Sequence, residues 1–77
     1  MNKERRKSLT TLIPDLDRLK NTLEQIRDEE QESFDAMPEG FQQSQRGADS
    51  EAAIYLIEQC IDYVESTVDN INEITST

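Results

Sequence analysis

The side chains best placed to do chemistry in this sequence are carboxylates at helical spacing in its C-terminal third. They follow one another in steps of three or four residues: Glu58, Asp62, Glu65, Asp69 and Glu73. On a helix this spacing lays neighbouring side chains along one face, about 5–6 Å apart. The row is either a solvated outer face that keeps the chain soluble, or a docking surface on which carboxylates replace nucleic-acid phosphates before a basic protein partner.

Catalytic and metal-binding groups are scarce. The sequence has no histidine to act as a general base, and it has neither a glycine-rich phosphate loop nor a glycine-flanked serine. The acidic run at residues 27–32 lacks the alternating ligands and central glycine of a calcium loop. Cys60 falls on an apolar stripe, where a small buried thiol is ordinary. We expect no enzymatic activity, no metal site and no cofactor.

Apolar residues around Pro38 form a second candidate binding site. Phe34, Met37 and Phe41 are expected either to cap one end of the fold or to remain exposed and engage a protein partner. Three residues that follow could form a small anion site: Ser44, Arg46 and Gly47. They stand near the start of a predicted helix, where free N–H groups and the helix dipole favour negative charge. A symmetric oligomer could pair such sites around a nucleotide.

Composition limits the class of protein. The 77 residues carry 17 acidic and 8 basic side chains, a net charge of −9, and only 34% are hydrophobic. A chain this short and polar cannot close a large core alone. Its charge opposes direct binding to nucleic acid or to an anionic membrane. The basic start is interrupted by Glu4, and no apolar stretch matches a signal peptide or a membrane span, so we expect a cytoplasmic protein.

The N-terminal half predicts one helix over about residues 8–34. Its apolar residues recur in steps of three and four: Leu9, Leu12, Leu16, Leu19, Leu23 and Ile26. Ile13 widens this stripe, which fails where Glu30 and Ser33 occupy the next positions. Pro14 lacks an N–H and crowds the preceding turn, so it must kink the helix or begin one. The unbroken register favours a continuous helix with a kink; the alternative is a short N-terminal helix ending near Leu12 and a new helix from Pro14.

The C-terminal half predicts a second helix over about residues 48–74. Its heptads place Ile57, Val64 and Ile71 at position a and Ala53, Cys60, Thr67 and Ile74 at position d. Apolar residues continue onto the neighbouring e and g positions: Ile54, Ile61, Val68, Leu56 and Tyr63. One partner helix covers an a/d seam, whereas a wider apolar face needs more than one. We therefore expect the e and g residues at an interface between copies.

These elements predict an all-α single domain over residues 1–77. The loop at 35–47 contains Pro38 and both glycines of the chain, and a connection of this length makes antiparallel neighbours of the two helices. The resulting helical hairpin leaves the second helix half uncovered. We expect it to assemble into a dimeric four-helix bundle or a higher oligomer.

The stretch RDEEQESFDAMPE at residues 27–39, followed by Arg46-Gly47 and Ile61-Asp62, resembles small acidic helical proteins encoded by bacteriophages, prophages and mobile elements. The sequence departs from that pattern at Gly40-Phe41, where a polar residue and leucine are expected, so the loop contacts differ. The resemblance implies a protein that inhibits a host defence or nucleic-acid-handling protein by stoichiometric binding in the bacterial cytoplasm. The alternatives are an oligomeric sponge for a nucleotide immune signal and a small structural phage protein.

Overall fold

A computed structural model describes residues 1–76, and these residues are helical apart from short connections. The helices are α1 (Lys3–Thr10), α2 (Ile13–Asp35), α3 (Glu39–Gln42) and α4 (Gln45–Thr75). The described residues contain no strand, so the all-α class is confirmed. Together the helices form a rod with extents of 58 × 15 × 13 Å. None of the helices in residues 1–76 combines the length and apolar content required to cross a membrane.

Pro14 separates α1 from α2. The favoured expectation of one kinked helix over 8–34 is wrong, and the alternative of a new start near Pro14 is what the structure has. Pro14 has no N–H to donate to the carbonyl of Thr10, so the helical hydrogen-bond ladder stops there. The backbone at Thr11 and Leu12 keeps right-handed helical angles, and the Leu12 N–H donates instead to Leu9 at 3.0 Å. The boundary between α1 and α2 is therefore an interruption of the helical hydrogen bonds at Thr11 and Leu12, and the chain makes no wide turn there.

The connection between α2 and α4 contains one helical turn, α3, that the sequence analysis did not predict. Gln42 at the end of α3 donates from its side-chain amide to the Phe34 carbonyl at 3.0 Å, which ties the connection to the last turn of α2. Ser44 takes the N-cap position of α4 without a capping hydrogen bond from its side chain. The second helix thus begins at Gln45, three residues before the expected start.

Gly47 closes the corner between α3 and α4. It is buried, and a Cβ atom placed on it would overlap the backbone of Gln42, chiefly its carbonyl oxygen. Gly40, the other glycine, has nothing within 4 Å of the same atom. The corner therefore needs glycine at 47 for close approach of two backbones, whereas position 40 tolerates a side chain.

α2 and α4 contact each other in antiparallel order. Near the connection, the Ser50 hydroxyl donates to the Glu30 carboxylate at 2.7 Å. Farther along, Lys20 Nζ lies 3.1 Å from Glu65 Oε1. We call the line of contact the seam. Its positions recur in steps of three and four on each helix, at 13, 16, 20, 23, 27, 30 and 34 on α2 and at 47, 50, 54, 57, 61, 64, 68 and 71 on α4. Four other residues of these helices are also partly covered: Glu24, Ala53, Gln59 and Thr75.

The seam corrects the expected register of α4. Ile54 and Ile61, 8% and 6% exposed, are buried in the seam and Val68 is half-buried there, so α2 of the same chain covers residues that were expected to face a second copy. Cys60 and Thr67, expected to be covered, are exposed. The physical reason is that this rotation turns α4's β-branched residues at 54, 57, 61, 64, 68 and 71 toward α2. Of the expected interface, Leu56 and Tyr63 remain exposed.

α2 is rotated in a similar way, so that polar residues enter the seam. Lys20, Arg27 and Glu30 are half-covered there, whereas the leucines at 12 and 19 stay about half-exposed. Long polar side chains can cover apolar surface with their stems while their ends find partners. Lys20 pairs with Glu65, Arg27 with the neighbouring Asp28 at 3.1 Å, and Glu30 accepts from Ser50.

We expect Gly47→Ala to lower the free energy of unfolding by about 1–3 kcal/mol, because the new methyl group forces the α3–α4 corner apart. Gly40→Ala is the matched control: it meets open space on a helix, where alanine is favoured over glycine by roughly 0.5–1 kcal/mol, so it should be neutral or stabilising. Urea denaturation followed by circular dichroism at 222 nm measures both. Equal stability of the two variants would contradict the close approach at Gly47.

Candidate protein-binding surface

One side of the α2–α4 pair is acidic along most of its length. Glu58 and Glu65 each follow a seam residue of α4, and Asp17 and Glu24 each follow a seam residue of α2. In an antiparallel pair of helices, the residues that directly follow seam residues lie on the same side of the pair, whichever helix they belong to. The exposed Asp62 and Asp69 extend this side outward. We call these six residues the acidic face.

The acidic face is larger than the row seen in the sequence. Asp17, Lys20, Glu65, Val68 and Asp69 line one cleft of about 250 Å³ between the two helices. The contribution of Asp17 and Glu24 was not predicted from the sequence, although their seven-residue spacing was a signal. That spacing shows that Asp17 and Glu24 share one side of α2, but only the rotation of α2 in the structure shows that this side adjoins the carboxylates of α4.

Glu73 departs from the expected row. It lines a different cleft, of about 520 Å³, with Met1, Asn70 and Ile74 near the chain terminus. A straight helix drifts relative to a strict seven-residue repeat, and the end of the row is carried around α4. The docking surface expected from five carboxylates therefore keeps four of them on α4 and gains two from α2.

Lys20 is a seam cation that lies against the acidic face. Its Nζ lies 3.1 Å from Glu65 Oε1 and 3.9 Å from Glu24 Oε1. The hydrogen bond and charge of Glu65 raise the pKa of Lys20, and Glu24 and Asp17 add to this effect, while desolvation opposes it. Lys20 thus bridges α2 and α4 at the edge of the seam and neutralises part of the face. With both partners a third or more exposed, such a pair contributes little to stability.

We expect Glu65→Gln to lower the pKa of Lys20 toward 10.5, its value in the absence of partners, because the main stabiliser of the ammonium is lost. Glu58→Gln, one heptad away on the same face, is the matched control and should leave it unchanged. Because the folded pKa is raised, the stabilisation is present below pH 10.5 and is lost as the pH rises through that raised value. A ¹H–¹³C NMR titration of the lysine ε-methylene measures the shift, and no change on Glu65→Gln would contradict this pairing.

A cleft of about 320 Å³ lies at the connection end, lined by Ser33, Ala36, Met37, Pro38, Phe41 and Arg46. Phe34 and Met37 are half-buried, as expected of residues that cap the helices. Phe41 is 56% exposed, as expected of a residue available to a partner. The positions of Phe34 and Met37 therefore fit the capping alternative, and the position of Phe41 fits the alternative of an exposed residue.

The expected anion site does not form as a set. The Ser44 hydroxyl donates to the Phe41 carbonyl, and buried Gly47 packs against Gln42. Only Arg46 reaches the cleft. Its guanidinium makes no hydrogen bond or ion pair within residues 1–76.

In the described part of the chain, no three acidic or cysteine side chains group closely enough to hold a metal ion. No protein-family model, curated protein or solved structure matches the sequence or the fold. The acidic face and the connection cleft therefore have to be interpreted from their own geometry.

Proposed function

We propose that this chain is a non-enzymatic binding protein that inhibits its partner stoichiometrically, by docking the acidic face on a basic protein surface. The supporting observation is the segregation of charge on α4. Every charged residue between positions 52 and 72 is acidic and lies toward one side of the helix: Glu58, Asp62, Glu65 and Asp69. Carboxylates that serve only solubility can be spread around the exposed surface of the helix. Clustering them on one side places them three and four residues apart, where they repel one another and slightly destabilise the helix.

The acidic face has the form of a nucleic-acid mimic. From Glu58 to Asp69 the row rises about 16 Å along α4, at 1.5 Å per residue. Fixed negative charges on a rod 13–15 Å across suit a groove that otherwise binds phosphates, and they steer a basic partner over long range. The resemblance to small acidic phage proteins makes the partner a host defence or nucleic-acid-handling protein in the bacterial cytoplasm.

The architecture that carries this function is an antiparallel helical hairpin of α2 and α4 that assembles into a dimeric four-helix bundle or a higher oligomer. The thin seam supports assembly, because no large side chain of residues 1–76 is fully buried and small domains need additional burial to be stable. An oligomer presents more than one acidic face, which increases the avidity for a multivalent or dimeric partner.

We expect a fourfold neutral variant to lose the partner: Glu58→Gln, Asp62→Asn, Glu65→Gln and Asp69→Asn. Its helicity should hold or rise, since like-charge repulsion worth a few tenths of a kcal/mol per pair is relieved. The charge-matched control neutralises four carboxylates off the face: Glu29→Gln, Glu32→Gln, Glu39→Gln and Asp49→Asn. Immobilised wild type, variant and control are each used to capture proteins from a bacterial host lysate, with identification by mass spectrometry.

The docking model expects the same basic protein on wild type and control and its loss from the neutral variant. Its association rate with the wild type should fall steeply as salt rises, because exposed charges are screened. Retained capture by the neutral variant would refute the acidic face as the docking surface.

A second candidate function, sequestration of a nucleotide signal, is supported by Arg46, whose guanidinium has no partner within residues 1–76, beside exposed Phe41. The cleft they share is of ligand size, and an arginine with an aromatic ring suits a phosphate and a base. We expect wild type to retain a nucleotide detectable by native mass spectrometry and Arg46→Ala to lose it with unchanged helicity. A nucleotide-free wild type that also gains none on incubation with a nucleotide pool would eliminate this candidate.

A further inference from the structure

The side of the α2–α4 pair opposite the acidic face exposes large apolar side chains, with the carboxylates of Asp15, Glu29 and Asp49 on the same side. The large apolar side chains are 39–68% exposed: Leu12, Leu19, Ile26, Leu56, Tyr63 and Ile74. Cys60 and Thr67 lie between them and are exposed as well. We call these eight residues the apolar face.

The antiparallel geometry places both sets on one side. Leu12, Leu19 and Ile26 each precede a seam position of α2 by one residue, and Leu56 and Tyr63 each precede one of α4. The residues of the acidic face instead follow seam positions. Since displacement in the same sense from the seam leads to the same side of an antiparallel pair, the two helices contribute adjoining apolar rows. The molecule is thus two-sided, acidic on one side and largely apolar on the other.

We infer that a second copy of this chain docks on the apolar face, with its own apolar face, to form an antiparallel four-helix bundle. The exposed apolar area is on the order of 500 Å² per chain, in the range of the largest patches on monomeric proteins, which are often functional, and comparable to the core of a standard interface of ~800 Å² per partner. The exposed tyrosine and the absence of charge on this side of α4 between positions 52 and 72 match the composition of interface cores.

The distribution of charge favours a second copy as the occupant, because basic residues 1–7 of one chain complement acidic residues 24–39 of another. Two chains of net charge −9 otherwise repel each other, so they associate through the side on which apolar side chains outnumber carboxylates. Docking through the apolar faces turns both acidic faces outward, to opposite sides of the bundle. The same arrangement leaves each acidic face free, so this inference rests on the proposed self-association and not on the proposed partner.

The distribution of charge along the rod also selects the orientation. Residues 24–39, at the connection end, hold seven carboxylates and one arginine, a net charge of −6, whereas residues 1–7 hold four cations and one carboxylate, a net charge of +3. A parallel dimer sets the two acidic ends side by side. The antiparallel dimer separates them and brings each close to the basic N-terminal segment of the other copy.

The middle of the apolar face lies near the middle of the rod, as antiparallel pairing of two copies requires. Lys20 lies opposite Glu65, so Leu19 and Tyr63 stand at nearly the same level, near the middle of the 58 Å rod. A two-fold axis at that level brings Ile26 and Leu56 of one copy to the level of Leu12 and Ile74 of the other. Every large residue of the face then meets an apolar neighbour.

Two tyrosines on opposite sides of α4 provide the test. Tyr63, 68% exposed, is on the apolar face; Tyr55, 61% exposed, is not, since it follows the seam residue Ile54. We expect wild type to sediment at roughly twice 8.9 kDa, Tyr63→Gln to raise the dimer dissociation constant at least tenfold, and Tyr55→Gln to leave it unchanged. Circular dichroism at concentrations where each variant is assembled confirms that all three are helical.

A monomeric wild type at micromolar concentration would overturn the inference and leave the face to a different protein. Equal effects of the two tyrosine variants would overturn it too. The fourfold neutral variant of the acidic face should stay dimeric, so loss of the partner and loss of the dimer are measured independently.

Orientation is tested by spin labels on Ala48→Cys in a Cys60→Ala background, which keeps the apolar face apolar, because Ala48 is exposed near the connection end. In the antiparallel dimer the two labels lie about 40–50 Å apart, at 1.5 Å of rise per residue from the central axis. In a parallel dimer they lie about 20–25 Å apart, the width of a four-helix bundle plus the labels. A distance in the shorter range by double electron–electron resonance would overturn the antiparallel order.

Discussion

The rotation of α2 and α4 about their own axes at the seam is the constraint on which the other features depend. With Ile54, Ile61 and Val64 turned inward, the carboxylates that follow seam positions must lie on one side and the residues that precede them on the other. A rotation by one residue would bury Cys60 and expose Ile54 and Ile61. It would also carry Glu65 away from Lys20. One choice of packing thus fixes the seam, the acidic face and the apolar face together.

This packing leaves the molecule with little buried apolar surface. The seam joins isoleucine and valine from α4 to a row on α2 in which Lys20, Arg27 and Glu30 take three positions. Each polar residue has a partner, so none imposes the cost of an unpaired buried group, but none adds much hydrophobic stabilisation either. A fold of this kind gains most from contacts outside its own seam, which is where six large apolar side chains lie.

The sequence predicted what depends on local spacing and missed what depends on three-dimensional context. Repeats of three and four residues were enough to locate the long helices and the carboxylate row. They could not identify the seam, because α4 is apolar at four positions of seven and two rotations satisfy the pattern nearly equally well. Pro14 left two local outcomes open, and the choice depended on the hydrogen bond it cannot make. The role of Gly47 could not be predicted from the sequence, since it depends on the close approach of the Gln42 backbone.

The Ser50–Glu30 hydrogen bond has a further consequence for the alignment of the helices. The apolar residues of α4 repeat every seven positions, at 54, 61 and 68 and again at 57, 64 and 71, so α2 could slide by a full repeat and still meet isoleucine or valine. Ser50 is 5% exposed, and such a slide would strand its hydroxyl opposite an apolar side chain at a cost of about 1–3 kcal/mol. The Ser50–Glu30 pair therefore favours one alignment of α2 along α4 over alignments shifted by seven residues.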